Sequence, residues 1–202
     1  DLRPLVSGRV IEVGQSYFEG SIVKKGQLLA KIDPFDYEIK LEDSKAALTE
    51  VLTRIAEIVG EIKYETKLLK INGAQLAIRK RDLERRRKLE KRGSTSRKSL
   101  DDAEIAYNDA AKSFAIRQQV ALRLNNRLDQ QKASEVRAKS VLKQAERNIQ
   151  ETIIKAPFDG FLANANVSAG QRISTNDRLA RLIEAKRLEV KFRLSEREFS
   201  SL

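Results

Sequence analysis

Histidine and cysteine most often serve as general base, thiol nucleophile or transition-metal ligand, and both are absent from these 202 residues. Zinc and iron–sulfur sites of the usual ligand types are therefore excluded, as are histidine-based proton transfer and thiol catalysis. No enzymatic role is expected. What remains is the chemistry of cations and hydroxyls. Forty Lys and Arg stand against 29 Asp and Glu, a formal charge of +11. The cations are densest between Arg79 and Lys98, where eleven of them meet only Asp82, Glu84 and Glu90, a net of +8. A solvated helix face is the plain reading of such a run. Electrostatic steering toward an acidic protein surface is the sharper one. Nucleic acid is disfavoured, because no aromatic interleaves the cations and no recognised binding motif is present. Within the run, Arg85, Leu89 and Ser96 supply a guanidinium fork, an apolar side chain and a hydroxyl, with Gly93 between the last two.

Charged residues make up 34% of the chain and aromatics 5%, which suits a long solvated helix pair better than a thick core. From Phe35 to Arg92 there is no Pro, and Leu or Ile recurs every seventh residue: Leu41, Leu48, Ile55, Ile62, Leu69, Leu76 and Leu83. That is a coiled-coil seam. Arg92-Gly93-Ser94-Thr95-Ser96 interrupts it. Gly93 suits the left-handed residue that closes a helix, and Ser96 suits the cap that opens the next. A second heptad follows: Leu100, Tyr107, Phe114, Ala121, Leu128, Glu135, Leu142 and Ile149, with Ala121 and Glu135 as weak layers. Antiparallel pairing sets Leu83 against Tyr107, Ile62 against Leu128 and Leu41 against Ile149, and this register folds back near residue 95, inside the interruption. A second row is expected to pair Leu52 with Ala138, Val59 with Gln131 and Gly73 with Arg117. Each arm of roughly 50 residues at ~1.5 Å per residue gives a rod of about 75–80 Å.

The flanks read as β. Short apolar runs with Gly8, Gly14, Gly20 and Gly26 precede Asp33-Pro34, and the pattern resumes after Thr152. The two flanks are imperfect repeats. Val6-Ser7-Gly8-Arg9-Val10 parallels Phe158-Asp159-Gly160-Phe161-Leu162, and Val23-Lys24-Lys25-Gly26-Gln27 parallels Val167-Ser168-Ala169-Gly170-Gln171. A repeat on either side of a hairpin implies one β domain split by an insertion. Leu188 to Leu194 alternates like a further strand, and Ser195-Glu196-Arg197-Glu198 resembles a helix start. The abrupt opening at Asp1 and the strand-like run near Leu202 lead us to expect a piece of a longer protein, with any targeting segment upstream.

The half-motifs Val6-Ser7-Gly8 with Val23-Lys24-Lys25-Gly26-Gln27, and Ala156-Pro157-Phe158-Asp159-Gly160 with Val167 and Gly170, resemble those of the periplasmic adaptors, or membrane fusion proteins, of the hemolysin D-like family. So does the spacing R-x3-L-x6-S met by Arg85, Leu89 and Ser96. The strand from Val190 to Leu194 followed by Ser195-Glu196-Arg197-Glu198-Phe199 is similar to the entry of that family's β-barrel domain and favours its resistance-nodulation-division (RND) branch. The resemblance implies an α+β fold, with a long antiparallel two-helix coiled-coil hairpin inserted into a split lipoyl-like (barrel-sandwich hybrid) β domain. The expected boundaries are 1–36 and 152–187 for the β halves, 37–151 for the hairpin with its tip near 92–96, and 188–202 for the start of the barrel.

It further implies an adaptor bridging an inner-membrane transporter to a TolC-like outer-membrane channel across the periplasm, anchored to or associated with the inner membrane. Arg85, Leu89, Ser96 and Gly93 would meet the channel, and copies would ring together as a trimer or hexamer. An adaptor for an ATP-driven exporter or type I secretion system is the nearest alternative. A coiled-coil scaffold with a basic nucleic-acid- or membrane-binding tip is the more distant one, and it leaves the β repeats unexplained. Lipoyl-like carriers display a modifiable lysine at the hairpin between their halves. Here a coiled coil replaces that hairpin, and Lys31 and Lys155 fall in strand-like runs, so no covalent cofactor is expected.

Overall fold

A computed structural model describes residues 1–184. The strand and helix start expected beyond Leu188 lie outside them. The chain divides into two compact units. One joins Asp1–Asp43 to the chain from Leu142 onward, and the other is Ser44–Val141.

Among the described residues the first unit holds seven strands: β1 (Gly8–Val13), β2 (Ile22–Val23), β3 (Leu28–Ile32), β4 (Ile153–Lys155), β5 (Gly160–Ala163), β6 (Arg172–Ile173) and β7 (Arg181–Glu184). They form two antiparallel sheets, ordered β4-β3-β1-β6 and β2-β5-β7. Each sheet mixes strands from both flanks, so β3 pairs β4, β1 pairs β6 and β2 pairs β5. Neither flank can close a core alone. Val10, Val23, Leu29 and Ile32 from the first flank bury with Leu162, Val167, Ile173 and Leu179 from the second. Tyr17 joins them, its hydroxyl donating to the Leu179 carbonyl. Burial raises the Tyr17 pKa above its ordinary value, against backbone hydrogen bonds at Val167 and Asn166 that lower it.

The repeat extends to single hydrogen bonds. Gly26 and Gly170 take φ of +82° and +88°, as the third residue of a type II turn requires. In each turn the glutamine that follows accepts from the first residue: Lys24 N to Gln27 Oε1 at 2.9 Å, and Ser168 N to Gln171 Oε1 at 3.1 Å. Val23 and Val167, just before these turns, are both buried. Gly160 is needed for close approach rather than for its dihedral, since a Cβ there would lie 2.3 Å from the Ile183 carbonyl oxygen.

Two helices account for the rest, α1 (Phe35–Glu90) of 56 residues and α2 (Arg97–Glu151) of 55. Asp33 caps α1, its carboxylate accepting from Phe35 N at 3.1 Å, with Pro34 leading into the helix. Asp36 and Glu38 place negative charge in the first turn.

Within Ser44–Val141 the helices carry two inward rows. Leu48, Ile55, Ile62, Leu69 and Leu76 are half-buried and Leu83 is buried. On α2, Leu100, Tyr107, Phe114, Ala121 and Leu128 are half-buried, and Glu135 turns to an ion pair with Lys139 at 2.7 Å. Leu41, Leu142 and Ile149, in the first unit, are half-buried as well.

The second row departs from expectation. Leu52 is 44% exposed, and the row that carries the buried Ser44 and Ile58 runs through Val51, Glu65 and Asn72, one position earlier, with Val59 and Gly73 half-buried beside it. The reason is geometric: a heptad seam continues at i+3, the spacing that α2 follows with Ala103, Ala110, Arg117, Leu124, Gln131 and Ala138. Consequently Gly73 lies against Phe114, whose ring is 3.2 Å from where a Cβ would stand, and Arg117 pairs instead with Glu65 at 3.0 Å. Further cross-helix ion pairs join Glu61 to Arg127 at 3.7 Å and Arg87 to Glu104 at 2.8 Å. Among the described residues, no helix is long and apolar enough to cross a membrane.

Candidate protein-docking site

Backbone bonds close the C-terminus of α1 at the turn between α1 and α2. Gly93, at φ +69°, donates to the Glu90 carbonyl at 2.8 Å, and Ser94 donates to the Leu89 carbonyl at 2.9 Å. These are the paired bonds of a Schellman closure, with glycine at its left-handed position. Ser96 then opens α2. Its carbonyl accepts from Ser99 N and Leu100 N, and its Oγ accepts from Ser99 N at 3.3 Å. An N-cap hydroxyl used as acceptor still has a proton to donate outward.

Arg85, Leu89 and Arg92 follow one another at helical spacing on the outer face of α1, and Leu89 is 37% exposed despite being apolar. With Arg81, Glu84 and Lys88 they line a surface recess of about 320 Å³. Arg81, Lys88 and Arg92 make no ion pair among the described residues. The face thus offers an apolar patch beside guanidinium and ammonium donors, the pattern of a surface that binds carboxylates and carbonyls on a partner protein. The structure brings Arg85 and Leu89 onto this face. Gly93 and Ser96 it places in the adjoining turn.

Three side chains of the tip escaped sequence reasoning. Asp82 accepts from both Arg85 and Arg86, the latter at 3.0 Å from Nε. Arg86 donates across the turn to the Ser99 carbonyl at 3.2 Å and to its Oγ. An Asp followed by Arg at i+3 and i+4 was the available signal. Desolvation pushes the Asp82 carboxyl up, yet hydrogen bonds and charge from Arg85 and Arg86 together outweigh it and hold the group below its ordinary value. Elsewhere, Lys31 lies half-buried in β3 and Lys155 is exposed in β4, neither at a hairpin turn. Among the described residues no cluster of His, Cys, Asp or Glu could hold a metal ion.

Residues 1–184 match the family described as "RND MFP, barrel-sandwich hybrid domain". The chain belongs to the RND membrane fusion proteins. Among its relatives is the multidrug export protein EmrA of Haemophilus influenzae, 25% identical over 203 residues, covering 98% of this chain and 51% of that protein. Another is the multidrug resistance protein MdtN of Shigella flexneri, 26% identical over 196 residues, covering 92% and 57%. The chain therefore spans about half the length of these two membrane fusion proteins. Among solved structures, the periplasmic adaptor protein EmrA is 20% identical with a TM-score of 0.46, covering 91% of this chain and 71% of that one. MacA from Actinobacillus actinomycetemcomitans is 23% identical with a TM-score of 0.46, covering 92% of this chain and 48% of that one.

Proposed function

We propose that this chain is the central part of the adaptor subunit of a tripartite efflux or export system, joining an inner-membrane transporter to a TolC-like outer-membrane channel in the periplasm. The observation that carries the reading is the exposed apolar and cationic face at the turn of a long helical hairpin, where Leu89 sits among Arg81, Arg85, Lys88 and Arg92. Family membership supports the adaptor role, and the relatives' names as multidrug export and resistance proteins support efflux as the process served. The role is mechanical: the chain binds and holds partners and transforms nothing.

Contact with the channel falls to Arg85, Leu89 and Ser96, with Gly93 shaping the turn between them. Leu89 contributes apolar area that the partner dehydrates, and the arginine fork and serine hydroxyl select its carboxylates and carbonyls.

Self-association into a ring is part of the proposal. Tyr64, Ile71 and Ile78 recur at seven-residue spacing on the outside of α1, and Ile116 and Leu122 stand exposed on α2. A second copy packed alongside would cover such faces. Assembly as a trimer or hexamer follows the family resemblance alone.

Replacing Leu89 by Glu in the full-length protein should abolish efflux in cells while leaving helicity in circular dichroism unchanged. Undiminished drug resistance would count against docking through this face.

A further inference from the structure

The residues of the tip face are tied to one another through side chains outside the R-x3-L-x6-S pattern. Arg85 donates to one oxygen of Asp82, and the other oxygen accepts from Arg86 Nε at 3.0 Å. Arg86 spends its remaining fork on Ser99, at the carbonyl 3.2 Å away and at Oγ. Ser99 in turn donates its backbone N–H to Ser96 Oγ at 3.3 Å. A continuous chain of hydrogen bonds therefore runs from Arg85 through Asp82, Arg86 and Ser99 to Ser96, crossing from the last turns of α1 to the first turn of α2.

Exposure grades along this chain in a telling way. The side chains of Asp82 and Arg86 are 21% and 36% exposed, whereas Arg85 is 71% exposed. The inner members are shielded and the outer one is presented. Ordering a free arginine costs rotamer entropy, so an arginine already held in place binds more tightly for the same contact. An isolated exposed ion pair holds a side chain weakly, but here one carboxylate holds two planar forks and one of those forks grips a second helix. Lysine could not replace Arg86 in this, because a single ammonium lacks the fork that spans Asp82 and Ser99 at once.

We infer that Asp82, Arg86 and Ser99 are positioning residues of the docking face, holding Arg85 and the Ser96 turn in the arrangement that a partner meets. The inference rests on the docking function proposed above. It adds that docking strength depends on three residues that touch no partner, Asp82 acting through Arg85, and Arg86 with Ser99 through the Ser96 turn.

The test uses the full-length protein and the purified outer-membrane channel of the same cell as probe. Channel affinity is measured for Arg86→Lys, Asp82→Asn and Ser99→Ala, with Arg85→Glu and Leu89→Glu as docking controls. Hydrogen exchange at the amides of Ser99 and Leu100 reports the tip directly. Arg86→Lys should keep charge and helicity, speed exchange at those amides, and weaken binding roughly tenfold, within the range of coupling in one hydrogen-bond network. In an Arg85→Ala background, Asp82→Asn should cost less than it does in the wild-type background, since one of its two arginine partners is already gone. Wild-type affinity in Arg86→Lys and Asp82→Asn, with binding lost in both controls, would overturn the positioning role and leave docking standing. Fully additive losses of Arg85→Ala and Asp82→Asn would overturn it too, by showing that Asp82 does not act through Arg85. Wild-type affinity in the controls themselves would overturn docking and this inference together.

Discussion

Asp82 shows how one carboxylate can set the character of a cationic tip. Arg85 and Arg86 hold its pKa below the ordinary value, outweighing the desolvation that acts the other way. A carboxyl with a depressed folded-state pKa contributes stability at pH values above its unfolded pKa of about 4, and that contribution is lost as pH falls through the folded value. Protection of the Ser99 and Leu100 amides should therefore persist from neutral pH down to about 4 and fall below it. Asp82→Asn should flatten that acid limb and lower protection at neutral pH. A wild-type profile with no acid limb of its own beyond that of the variant would show that Asp82 does not order the tip. Ser96 illustrates a second point at this scale. Its hydroxyl caps α2 and still keeps a proton for a partner, so its helix-capping and docking roles are compatible.

The helices were legible where their seam is apolar and opaque where it is not. Leu and Ile at every seventh place, from Leu41 to Leu83, announce α1 and its inward face. The second row of α1 holds Ser44, Glu65 and Asn72 beside Val51 and Ile58, so hydrophobicity could not reveal its phase. Glu65 is inward because Arg117 meets it, a pairing that no local pattern reports. The small residues Ala103, Ala110 and Ala138 on α2 are the better guide, since all three turn inward. Ion pairs Glu61–Arg127 and Arg87–Glu104 agree with a register that sets Ile62 against Leu128. Spin labels on Lys63 and Arg127 should then lie within about 20 Å of each other, as interaxial spacings of about 8–10 Å demand. Separations of several tens of ångströms would contradict the register.

At the scale of the chain, the imperfect repeat was the informative signal for the β unit. It points to two halves of one domain, and the halves do interleave, each sheet drawing strands from both flanks. Pairing order itself was not readable, because β2 and β6 have only two residues each and carry no periodicity. At the tip, the glycine and serine of the turn could be read from helix-ending chemistry, whereas the link from Asp82 through Arg86 to Ser99 depends on two helices meeting in space. The central claim is that this tip is the end that meets the channel. A photo-crosslinking residue placed at Leu89 of the full-length adaptor in living cells tests it most directly. The account predicts an adduct of adaptor and outer-membrane channel from position 89, and none from Glu50, an exposed position far back along α1. No channel adduct from position 89, or equal adducts from both positions, would contradict it.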